Sequence, residues 1–104
     1  MLDTYRIRTR IKEIRKRLTI IDKNFKGLPE SKFLEDERLN AEAERHLQIA
    51  IQACIDIANH IVAALGLERP AKETTEAFYS LAKEKIIPDD FVNTMVKIDR
   101  KSVV

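Results

Sequence analysis

Apolar residues recur along the first quarter of the chain with a helical beat. Ile7, Ile11, Ile14, Leu18, Ile21 and Phe25 are spaced by 4, 3, 4, 3 and 4 residues. At 100° per residue they fall within an arc of about 80°, a narrow seam on one face of an amphipathic helix. The pattern predicts a helix over Asp3 to Phe25, closed by Gly27 and Leu28-Pro29. Residues 28–36 read as a linker in which Ser31 and Asp36 are candidate caps.

The second helix is expected from Asp36 to Leu65. Gly66 suits the left-handed residue beyond its end, Leu67 the hydrophobic contact after it, and Pro70 the stop. A third helix is expected from Thr74 to Ile86, with Phe78, Leu81 and Ala82 inward. Ile87-Pro88 breaks it. A fourth then carries Phe91, Met95 and Ile98 at i, i+4 and i+7, with Pro88 in its first turn.

The second helix differs from the others. From Leu47 to Leu65 it is apolar over most of its circumference, as expected of a helix covered on more than one side. Its polar residues are ordered: Arg45, Gln48, Gln52, Asp56 and Asn59 share an arc of about 80°, and His60 lies about 40° further round. Two readings stand for this stripe. It is a solvent line or a set of satisfied polar groups at a dimer seam, or it is a polar groove for a ligand or RNA. The apolar surface of this helix exceeds what the other helices would cover, so self-association is expected.

Composition narrows the class. In 104 residues there are two glycines and three prolines, too few turn-formers for a sandwich, a barrel or a dinucleotide-binding βαβ unit. At 44% hydrophobic and 35% charged the chain is too apolar for a disordered tail. One helical domain over residues 1–104 remains. The net charge of +2 hides an asymmetry. Residues 1–30 carry nine Lys/Arg against four Asp/Glu, residues 31–60 three against six, and the remainder is balanced. The basic run Arg6, Arg8, Arg10, Lys12, Arg15, Lys16 and Arg17 flanks the first seam. It is either a solvated face or a surface for phosphates or an acidic partner, with Arg8, Arg10 and Arg15 the candidates for RNA contact.

Little catalytic chemistry is visible. His46 and His60 stand about 21 Å apart on one helix and cannot share a metal within one chain. Cys54 is the only cysteine, which excludes an intramolecular disulfide and a cysteine-based zinc site. Its apolar neighbours mark it as a small core residue. Tyr5 and Tyr79 lack an aromatic platform for base stacking. No apolar run approaches the ~18 residues of a membrane span and no secretory leader is present, so the expectation is a cytoplasmic protein with no metal and no cofactor.

The string Arg45-His46-Leu47-Gln48-Ile49-Ala50-Ile51-Gln52-Ala53-Cys54-Ile55-Asp56-Ile57-Ala58-Asn59-His60-Ile61 resembles the central helix of the HepT-like branch of the HEPN superfamily. The resemblance continues through Leu65-Gly66-Leu67, Ala77-Phe78 and Ile86-Ile87-Pro88-Asp89-Asp90. It implies an all-α, antiparallel four-helix bundle that pairs into a symmetric homodimer. It also implies a toxin of a toxin–antitoxin system, commonly beside a minimal nucleotidyltransferase antitoxin, with metal-independent ribonuclease activity.

In that family an Arg-x(4–6)-His motif, often followed by x-Tyr, lies late in the chain. The arginine would stabilise phosphate charge and the histidine would do acid–base work on the RNA 2′-hydroxyl. Antitoxins that modify the toxin AMPylate the nearby tyrosine. Here Met95-Val96-Lys97-Ile98 is followed by Asp99-Arg100-Lys101-Ser102-Val103-Val104. Arg100 falls a residue or two early and Ser102 near the expected position, with no histidine after His60 and no tyrosine after Tyr79. The expectation is therefore a C-terminally truncated relative, impaired as a ribonuclease, with catalytic residues unassigned. The alternative is a non-catalytic helical module that engages a nucleotidyltransferase or an acidic partner. Asp56, Asn59 and His60 are the groove candidates, and Asp56 with His60 at i, i+4 could form an acid–base pair.

Overall fold

The structure, a computed structural model, describes the backbone of residues 2–67 and 75–102 and the side chains through Ile98. Those residues form five helices and no strand: α1 (Thr4–Phe25), α2 (Glu30–Glu35), α3 (Glu37–Ala64), α4 (Glu76–Lys83) and α5 (Asp89–Ser102). The expected all-helical class holds. The linker of residues 28–36 contains the short α2, whose Phe33 ring meets Phe25 edge-on, centroids 5.7 Å apart. The expected positions Pro70 and Thr74 lie outside the described residues.

Local chemistry sets the boundaries. Asp3 caps α1 by accepting the Arg6 amide at 3.0 Å, and Gly27, at φ +80°, turns the chain after it. Asp36 caps α3 by accepting the amides of Arg38 and Leu39. At the other end Gly66 adopts φ +66°. Leu67 donates to the Val62 carbonyl and Gly66 to that of Ala63, the paired bonds expected of a glycine-terminated helix.

α4 ends earlier than the expected Ile86, and for the same reason. Ile86 donates to Leu81 and Lys85 to Ala82, closing the helix with Lys85 in the glycine role at φ +59°. A lysine there carries steric strain between Cβ and the backbone that glycine lacks. Lys85→Gly is expected to raise unfolding stability by about 0.5–1 kcal/mol, read as a higher urea midpoint at unchanged slope.

The helices form a layered arrangement of 47 × 26 × 21 Å with α3 in the middle. α1 runs antiparallel along one side of α3, while α4 and α5 pack on another, and α1 does not reach α4 or α5. The main core cluster lies on the α4/α5 side: Ile51, Ile55, Ala58 and Val62 of α3 meet Ala77, Phe78, Leu81, Val92 and Met95, while the buried Ala50 and Ala53 lie outside it. On α5 the inward positions are Val92 and Met95. Phe91 and Ile98, expected inside, sit at the rim, where Phe91 meets Phe78 edge-on at 5.9 Å.

By length and composition alone α3 could cross a membrane, unlike the sequence expectation. Four of its apolar positions, Ile51, Ile55, Ala58 and Val62, line this core, and its Asp56 and His60 engage the α1 segment.

Candidate functional site

The polar stripe of α3 adjoins α1, and two of its members, Asp56 and His60, are paired there. Asp56 accepts from the Gln52 amide at 3.1 Å and lies 3.6 Å from Arg10 Nε. That separation gives an ion pair without a hydrogen bond, and it leaves the buried Arg10 Nε with no hydrogen-bond partner. Around these groups Thr9, Arg10, Glu13, Ile49, Gln52, Ala53 and Asp56 line a cleft of about 270 Å³.

Both histidines also turn to α1. His60 Nε2 accepts the backbone amide of Asp3 at 2.8 Å. His46 Nδ1 sits 3.1 Å from Arg17 Nη1. A guanidinium has no lone pair to offer, so Nδ1 is the acceptor there. Each ring therefore uses one nitrogen to hold α1 on α3.

Asp56 and His60 are thus neighbours on one helix with separate partners, and the i, i+4 acid–base pair is not formed. Asn59 is half-buried on the same helix. The basic run of α1 is divided rather than uniform. Arg10 and Arg17 turn toward α3, whereas Arg8, Lys12 and Arg15 line a shallow outer hollow with Tyr5, Thr9 and Ile11. Arg8, Arg10 and Arg15 therefore do not act as one cluster.

Cys54 is half-buried, and burial pushes its thiol above the ordinary range, which keeps it un-ionised. Among the described residues no three His, Cys, Asp or Glu side chains converge as a metal site would require. The backbone of Arg100 and Ser102 lies in the last turns of α5, with their side chains outside the described set.

Sequence reasoning missed the partners supplied by α1: Asp3, Glu13, Arg17 and Asn24. Only the Glu13–Arg17 spacing, an i, i+4 pair bonded at 2.9 Å, was a readable local signal.

A sequence model of the HepT-like ribonucleases matches residues 7–100, nearly the whole of this architecture. The chain belongs to the HepT-like family. Solved structures agree with this. The HepT-like fold superimposes on a tri-AMPylated HEPN toxin of Shewanella oneidensis, solved in complex with its MNT antitoxin, with a TM-score of 0.81 and 29% identity. That match covers 94% of this chain and 70% of the toxin. A mutant of the MntA–HpeT toxin–antitoxin pair gives a TM-score of 0.79 at 29% identity, covering 94% of this chain and 75% of the other. No curated protein matches the HepT-like chain in sequence.

Against that family, the 104 residues contain no Arg-x(4–6)-His at any position. The cleft beside Asp56 offers a carboxylate, an arginine and an amide. It offers no histidine, because His60 is turned to the start of α1 and His46 to Arg17.

Proposed function

We propose that this HepT-like chain is the toxin-side component of a toxin–antitoxin pair, engages an MNT-type nucleotidyltransferase as its relatives do, and is impaired as a ribonuclease. The observation that carries the partner reading is the near-complete superposition on toxins solved with such antitoxins. The impairment rests on chemistry. Cleaving RNA through its 2′-hydroxyl needs a proton acceptor at that oxygen and positive charge at the phosphate. Within these residues both histidines accept hydrogen bonds from donors that hold α1, and the family's arginine–histidine pair does not occur.

The same reading makes the protein a homodimer acting in the cytoplasm. Arg8 and Arg15, which stand outward with Lys12, supply charge for RNA phosphates, whereas Arg10 is engaged with Asp56.

Incubating the purified 104-residue chain with labelled RNA in chelator, beside a His60→Ala variant, is expected to give no cleavage above the blank in either. Cleavage by the parent chain that His60→Ala abolishes would overturn the impairment. Co-purification with an MNT-type nucleotidyltransferase tests the partner, and failure to bind it removes that part of the reading.

A further inference from the structure

α1 has two unlike sides. Arg10 and Arg17 turn to α3, where they meet Asp56 and His46. Tyr5, Arg8, Lys12 and Arg15 share an arc of about 80° on the helical wheel, roughly 170° round from that pair. With Thr9 and Ile11 they line a hollow of about 470 Å³, in which Tyr5 is 79% exposed.

The charge on this outer side is unopposed. Both carboxylates of residues 2–17 are engaged elsewhere: Asp3 accepts the Arg6 amide, and Glu13 is bonded to Arg17. No carboxylate lines the hollow, and among the described residues Arg8, Lys12 and Arg15 form no ion pair. Three cations within about 11 Å of helix rise, beside an exposed ring, suit a polyanion that also carries flat apolar groups. A nucleic-acid strand has both, whereas an acidic peptide supplies the charge alone.

The ring favours a single strand over a duplex. Bases in a duplex stack on one another and leave Tyr5 no face to cover. In a single strand one base is free to lie on the ring, with Arg8, Lys12 and Arg15 following the phosphates beyond it. The span from Tyr5 to Arg15 is about 15 Å, which admits about four nucleotides at most, at ~3.4 Å or more for each.

We propose that the outer flank of α1 binds a short stretch of single-stranded RNA, with one base stacked on Tyr5. The proposal rests on the RNA reading above and adds to it the strandedness and the role of Tyr5. This ring stands alone rather than in a platform of several, so it takes one base and reads no sequence.

Fluorescence anisotropy of the full chain with a labelled 12-nucleotide single-stranded 2′-O-methyl RNA tests each part. The blocked 2′-oxygen cannot attack the phosphate, so binding is read apart from cleavage. Tyr5→Ala is expected to weaken binding about tenfold, the usual effect of losing one stacked base, with the salt dependence unchanged. Tyr5→Phe keeps the ring and should stay within about twofold of the parent. Arg8→Ala and Arg15→Ala should each make the slope of log K against log salt shallower by about 0.7. A duplex of the same sequence is expected to bind less tightly and to be insensitive to Tyr5→Ala. Lys32→Ala, on the exposed side of α2, should bind as the parent does, and circular dichroism should show parent helicity in every variant.

If Tyr5→Ala binds the strand as the parent does while Arg8→Ala weakens it, the stacked base is overturned and the RNA reading stands. If Arg8→Ala and Arg15→Ala change nothing, both fall at this face. A duplex that binds as tightly as the single strand overturns the strandedness. A parent chain that binds labelled polyglutamate more tightly than the strand, through Arg8 and Arg15, assigns the face to an acidic protein and overturns RNA as its occupant.

Discussion

Phe78→Ala is expected to lower unfolding stability by about 3–5 kcal/mol, the usual cost of deleting a buried ring and leaving its cavity. Phe78 is 3% exposed, on the short helix α4, and its ring joins α3 to α5 by packing among the core residues and meeting Phe91 edge-on. Among the described residues, every large buried side chain belongs to this one cluster on the α4/α5 side of α3, and no second cluster shares the loss. A small domain with a total stability of about 5–10 kcal/mol would lose a large share of it.

Urea unfolding followed by helical circular dichroism, at one fixed protein concentration, should show a large fall in midpoint. Phe78→Leu, which refills most of the volume, should recover most of it. A cost of less than about 1 kcal/mol for the alanine variant would mean that α4 does not anchor the bundle.

How far the sequence discloses this architecture depends on whether a feature is local. The seam from Ile7 to Phe25, the cap at Asp36 and the glycine stop at Gly66 each depend on neighbours within one turn, so each is readable from residue order. The end of α4 was not. Ile87-Pro88 looked like the breaker, but Lys85 takes the left-handed conformation two residues earlier, against its own preference. The core face of α5 was misplaced by one position, since Phe91 and Val92 both suit a buried site and only the angle of packing chooses Val92.

The polar stripe shows the same limit at the candidate site. Its arc was visible on α3, as was its division from the apolar face. What it bonds to was not visible, because Asp3 and Arg10 come from the α1 segment, 57 and 46 residues away in sequence. The choice among a solvent line, satisfied polar groups at a dimer seam and a groove did not include pairing between two helices of one chain. The absence of Arg-x(4–6)-His, by contrast, is a property of residue order and needed no structure.

The ladder of contacts between α1 and α3 leads to the second large effect. Arg17→Met is expected to cost about 2 kcal/mol, within the range for hydrogen bonds to charged, partly buried groups. Arg17 donates to Glu13 at 2.9 Å and to His46 at 3.1 Å. His46, whose side chain is only 14% exposed, then has its other nitrogen 3.8 Å from Glu42. Glu42 in turn accepts from Asn24 of α1 at 2.8 Å, so the chain of contacts crosses from α1 to α3 and back. Methionine keeps the apolar stem and removes the guanidinium, which strands a largely buried acceptor on His46 and leaves Glu13 without its cation.

Because α1 buries no residue fully, apolar packing alone gives it little reserve on α3. Pairing Arg17→Met with His46→Ala should show a coupling of about 1 kcal/mol, since the second change removes the acceptor that the first leaves stranded. Arg17→Lys should fall between parent and methionine variant, because one ammonium cannot span Glu13 and His46 as a planar fork does. If Arg17→Met costs less than about 0.5 kcal/mol, the ladder has the worth of a surface ion pair. The half-buried apolar seam would then be what holds α1 in place.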